Sequence, residues 1–129
     1  MRITYDQTYQ IPLAKFGAEL VQMIKARDYD LIADRFGYAR AFHRPLADAV
    51  ASDIGSCLTD EERSAVIDLA SEARILVKYF KQPNSLNLFG LVECFLPLNH
   101  NSGELLAELI VTTKGQIFHV CLEDVSYAS

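Results

Sequence analysis

The chain has 129 residues, 50% of them hydrophobic and 22% charged, with a formal net charge of -5. That length suits one domain, 1–129, able to bury roughly two thirds of its unfolded surface without staples, and the composition argues against disorder. The carboxylate excess speaks against nucleic acid as the default partner, because phosphates call for Lys and Arg, and it suits encounter with a basic surface.

The first residues, MRITYDQTYQ, are polar and carry no apolar core segment, so no signal peptide is expected. No apolar run approaches the roughly 18 residues of a membrane span. Cys57, Cys94 and Cys121 lie far apart, and an odd number without CxxC spacing fits reduced thiols. The expectation is a cytoplasmic protein that contacts neither membrane nor nucleic acid and needs no cofactor.

The N-terminal half reads helical. Pro12 suits a first helical turn, and Leu13, Phe16, Leu20, Met23 and Ile24 recur at spacings of three and four. Leu31, Ile32 and Phe36 predict a short second helix stopped by Gly37. A third starts at Pro45, with Leu46, Val50, Ile54 and Cys57 on one face. In LTDEER, Thr59 followed by Glu62 is a capping-box pattern, which predicts a fourth helix running to about Ala73.

The period then changes. ILVKYFKQ, LNLFGLVECFLPL, ELLAELIVTT and QIFHVCLEDVSY are rich in β-branched and aromatic residues and are separated by QPNS, NHNSG and KG. They predict up to four strands of an antiparallel meander; residues 75 to 81 fit either a strand or an extension of the preceding helix. The expected fold is α+β: three to four N-terminal helices (about 12–73) packed on a three- to four-stranded antiparallel sheet (about 75–127). Alternation places Phe118, Val120 and Leu122 on one face of the last strand and Ile117, His119, Cys121 and Glu123 on the other. In the third strand, Leu105, Ala107, Leu109 and Val111 oppose Leu106, Glu108, Ile110 and Thr112. In the second, Leu88, Val92, Cys94 and Leu96 oppose Phe89, Leu91, Glu93 and Phe95. The second faces are only partly polar. Either the N-terminal segment covers them or they form an interface.

No residue set carries a catalytic signature. His119 and Cys121 share a strand face but stand about 6 to 7 Å apart, given a rise of about 3.3 Å per residue, which is beyond hydrogen-bond reach. A thiolate there also lacks an electropositive surround, with Glu123 and Asp124 adjacent. His43, His100 and His119 form no HxH or HxxxH pair, so a zinc site would need folding to gather His119, Cys121 and Cys94. Arg35, Arg40 and Arg44 interleave with Phe36, Tyr38, Phe42 and His43, but in a chain of this charge they read as a helix junction whose arginines pair with aspartates. Neither GxGxxG, a P-loop nor GxSxG occurs.

The helical segment KARDYDLIADRFG and the closing strand pair SGELLAELIVTTKGQIFHVCLEDVSY together resemble small bacterial immunity proteins of contact-dependent growth inhibition systems. The resemblance implies a non-enzymatic protein that binds the C-terminal domain of a cognate toxin, often a nuclease, and occludes it. Such proteins act by coverage, so no catalytic residue is implied. Charge and expected exposure select Asp28, Asp30, Glu93, Glu108, Glu123 and Asp124 as candidate contacts. Two other readings compete. VQMIKARDYDLIADRFG is similar to the opening helix pair of the cone-shaped nuclear-transport-factor fold, which implies an enclosed apolar pocket for a small ligand. Alternatively, the second sheet face joins copies of the chain into a homo-oligomer.

Overall fold

The computed structural model describes residues 1–129 and is an α+β arrangement of three α-helices and five strands. A strand the sequence did not announce comes first: β1, Arg2–Ile3, only two residues long. The helices follow: α1 (Gln10–Lys25), α2 (Tyr29–Phe36) and α3 (Leu46–Leu58). The rest of the sheet is β2 (Arg74–Tyr79), β3 (Leu88–Pro97), β4 (Glu104–Lys114) and β5 (Ile117–Ala128). All neighbours are antiparallel in the order β1-β5-β4-β3-β2, so the expected meander gains an N-terminal edge strand. Residues 75 to 81 resolve mainly as strand, within β2.

Alternation decides which face of the sheet meets the helices. Val92, Cys94 and Leu96 of β3, Leu105, Ala107, Leu109 and Val111 of β4, and Val120 and Leu122 of β5 are all fully buried. From α1, Leu13, Leu20 and Ile24 pack onto them. Gly17 lets α1 approach closely, since a Cβ there would fall 2.9 Å from Val92 Cγ1 and 3.1 Å from Cys94 Sγ. Ile32 and Phe36 of α2 and Val50 and Ile54 of α3 complete the core, while Leu31 and Leu46 stay largely exposed.

A polar clamp ties the turn after α2 to α3. Arg44 donates to Asp53 through Nη1 (2.8 Å) and Nη2 (3.0 Å), and its Nε and Nη2 also donate to the carbonyls of Ala41 and Arg40. The Tyr38 hydroxyl donates to Asp53 Oδ2 at 2.5 Å. The arginines of this region are thus paired with carboxylates: Arg44 with Asp53, Arg35 with Glu19 and Arg40 with Asp124.

The predicted fourth helix does not form. Thr59 is extended and ends α3. Asp60 accepts from the Glu62 amide (2.8 Å) and pairs with Arg63 (3.0 Å), so the residues of the capping pattern close a turn instead. Beyond it, Val66 and Asn99 exchange hydrogen bonds, and Ile67 bridges to Leu98. The segment is held extended against the β3–β4 connection. No helix is long and apolar enough to cross a membrane.

Candidate functional site

The helices occupy one face of the sheet. The other face bears three cross-strand rows fixed by the register. The middle row runs Leu76, Glu93, Glu108, Asp124. One flanking row runs Arg74, Phe95, Leu106, Ser126 and the other Lys78, Leu91, Ile110, Cys121. The outward residues of β3 and β4 are half-buried, in strict alternation with fully buried inward ones. The face therefore carries a line of carboxylates between two lines that are apolar at their centre. β1 pairs at the β5 edge and leaves the β2, β3 and β4 part of this face open, while the turn after α2 reaches its β5 end, where Arg40 meets Asp124 and the Ala39 backbone meets Cys121.

A bulge in β5 shapes the acidic row. The register slips between Glu108 and Leu109, which pair with Asp124 and Leu122, so Glu123 is the extra residue. The slip adds a carboxylate to the row while Val125 stays buried on the helical side. Lys78 Nζ lies 2.6 Å from Glu93 Oε1, yet this buried oxygen receives no directed hydrogen bond, so its compensation is coulombic. Arg40 Nε stands 3.4 Å from Asp124 Oδ1. Glu108 and Glu123 enter no ion pair. Partial burial pushes the Glu108 carboxyl above its ordinary value, and the charges of Glu93, Asp124 and Glu123 push it further. At the border, the Arg74 guanidinium lies over the Phe95 ring, 4.3 Å from its centroid, and Nη2 pairs with Glu104 at 3.1 Å.

The structure thus gathers Glu93, Glu108, Glu123 and Asp124 from three strands. Asp28 and Asp30 lie elsewhere, on the helical layer. Asp28 caps α2 by accepting from the Leu31 amide at 3.2 Å, and Asp30 sits in the first turn, where the helix dipole favours it. Sequence alternation placed Phe89 with the outward set. A register irregularity between Leu88 and Gly90 frees it, and its ring meets Phe118 (5.1 Å) and Tyr79 (5.9 Å) at the end of the core. The bulge at Glu123 and the register shift at Phe89 have no signature in composition, because both are set by pairing with neighbouring strands.

His119, Cys121 and Cys94 do not converge. Cys94 points into the core, 3.7 Å from the Gly17 carbonyl, while Cys121 is half-buried on the other face and His119 is exposed beside Thr112. Burial pushes the Cys94 thiol up to about 12 and also raises Cys121 and Cys57. All three therefore stay protonated thiols near neutral pH. The space between helices and sheet, where a cone-shaped fold would hold its ligand, is filled by the fully buried side chains of β3, β4 and β5. Comparison with protein-family models, with curated proteins and with solved structures finds no match for this chain.

Proposed function

We propose that this chain is a partner-binding protein that presents the uncovered sheet face to a basic protein surface, and that the partner is a toxin domain which it neutralises by occlusion, as an immunity protein of the contact-dependent growth inhibition type does. The observation that carries this reading is the row Glu93–Glu108–Asp124, with Glu123 beside it, set between apolar rows. Like charges directly across adjacent strands destabilise a sheet. Lys78 and Arg40 compensate Glu93 and Asp124 within the chain, whereas Glu108 and Glu123 have no cation of their own, and a cation from a partner that enters the row beside them relieves the remaining cost. A nuclease domain must be basic to hold phosphates, so it presents such cations at the site that needs covering. The flanking Leu91, Phe95, Leu106 and Ile110 supply the apolar area that charged contacts alone do not.

The test is co-expression of the chain with the C-terminal domain of a toxin encoded beside its gene. A stoichiometric complex should form, and the toxin's activity should be blocked in it. Replacing Glu108 and Asp124 with lysine should slow association, with an effect that shrinks as salt rises. A complex whose protected surface lies on the helices, with the lysine variants associating at the unaltered rate, would overturn the assignment of this face. Absence of any complex would overturn the immunity reading.

A further inference from the structure

A concavity lies on the helical layer, away from the uncovered sheet face. It is an open groove of about 480 Å³ where the end of α1 and the start of α2 meet α3 and the segment after it. Its walls include Ile54, Leu58, Val66 and Leu69, and Val66 and Leu69 are 53% and 65% exposed. That volume lies within the range of small-molecule sites, roughly 300–1,000 Å³.

Two features distinguish it from an accidental dent. Gly55, one turn from the end of α3, lines the groove, and a Cβ built there meets nothing within 4 Å. Close packing does not explain a glycine at this helical position, where it is among the weakest helix formers. Its effect is to keep that wall low. The second feature is charge. The chain has 17 carboxylates against 12 Lys and Arg, yet none of the 11 lining residues is acidic, and two are Lys25 and Arg27. Both come from the α1–α2 corner, with Tyr29 beside them, so the polar groups gather on one side. Lys25 Nζ donates to the Ser71 carbonyl at 2.9 Å and its charge acts on the nearby Asp68 carboxylate, whereas Arg27 takes part in none of the ion pairs and is the free cation of this corner. Arg27 also stands in a left-handed backbone conformation (φ 56°) at the end of α1, where glycine would sit without strain.

The geometry points to a binding site for an amphipathic anion: an unbranched aliphatic monocarboxylate whose chain lies along the apolar walls, over Gly55, and whose carboxylate meets Arg27. The partner protein proposed above plays no part in this site.

Titration of the isotopically labelled full chain with decanoate, followed by amide chemical shifts, tests it. Saturable shifts should map to residues 24–29, 51–58 and 66–69. Decyltrimethylammonium, with the same chain and the opposite charge, should bind on the order of tenfold more weakly or worse, and Arg27→Glu should weaken decanoate by a similar factor. Gly55→Leu should fill the groove and abolish the shifts. If that variant fails to fold, Arg27→Gly serves instead: it relaxes the left-handed position, so thermal stability should hold or rise while decanoate affinity falls about tenfold. Equal binding of the two amphiphiles, shifts confined to the sheet face, or undiminished affinity in a folded Gly55→Leu or in Arg27→Gly would overturn the site.

Discussion

Two carboxyl groups, Asp53 and Glu108, sit in opposite electrostatic environments and should move stability in opposite directions. Asp53 is held below its ordinary value of 3.8 chiefly by the hydrogen bonds from Arg44, with the Tyr38 hydroxyl assisting. Its contribution is present at neutral pH and fades as the pH falls through the depressed folded value. Glu108 lies above its ordinary value of 4.5, so the folded protein holds this proton more tightly than the unfolded chain. Its ionisation therefore costs stability at neutral pH, and the cost vanishes once both states are protonated. Urea unfolding across the acid range should separate the two. Asp53→Asn should lower the midpoint at neutral pH and lose that effect on acidification. Glu108→Gln should raise the midpoint at neutral pH and converge with the parent below about pH 4, where ordinary carboxyls take up protons. A Glu108→Gln midpoint below the parent's at neutral pH would remove the like-charge account of the acidic row.

At the scale of elements, the two glycines of the longer helices make opposite predictions from the same substitution. Ala in place of Gly gains about 0.5–1 kcal/mol of helix stability wherever nothing opposes it. At Gly55 a Cβ meets nothing within 4 Å, so Gly55→Ala should stabilise the fold by about that amount. At Gly17 the Cβ would lie 2.9 Å from Val92 Cγ1 and 3.1 Å from Ile75 Cγ2, both packed side chains. Overpacking of that kind costs about 1–3 kcal/mol, which exceeds the helix gain, so Gly17→Ala should be a net loss of roughly 1 kcal/mol. Chemical denaturation of the two variants checks both signs. The same scale shows what sequence pattern can convey. Period and alternation are repeated over many residues, so α1, α2, α3 and the inward faces of β4, β5 and β3 from Val92 onward were legible, while Leu88, expected inward, pairs with outward Thr112 beyond the register shift. Single local motifs were less informative. Thr59 and Glu62 have the spacing of a helix start, but Asp60 bonds the Glu62 amide and Asn99 bonds the Val66 amide, and these contacts with the turn and a distant loop win. β1 is too short to show a period; it exists because Arg2 and Ile3 find His119 and Phe118 at the β5 edge. For the candidate face, the acidic residues could be chosen one by one from charge, but their assembly into a row depended on register and on the β5 bulge.

The whole molecule presents one face that is both apolar and negative, and this decides between meeting a copy and meeting a stranger. A closed dimer formed through that face would relate the two copies by a two-fold axis, which brings the same patch onto itself. Glu93, Glu108, Glu123 and Asp124 of one copy would then approach the same residues of the other, in a chain whose net charge is already -5. The apolar rows favour such pairing, and the acidic row opposes it. At neutral pH and low salt the repulsion is least screened, and the chain should remain monomeric in light scattering even at high concentration. Neutralising the row should release the opposing term, so the double variant Glu93→Gln, Glu108→Gln should self-associate at neutral pH, as should the parent under mild acid while it remains folded. Raising salt should act in the same direction by screening the like charges. A parent protein that is dimeric at neutral pH and low salt would show that this face binds its own copy despite its charge, and would leave the acidic row without the basic partner for which it is otherwise suited.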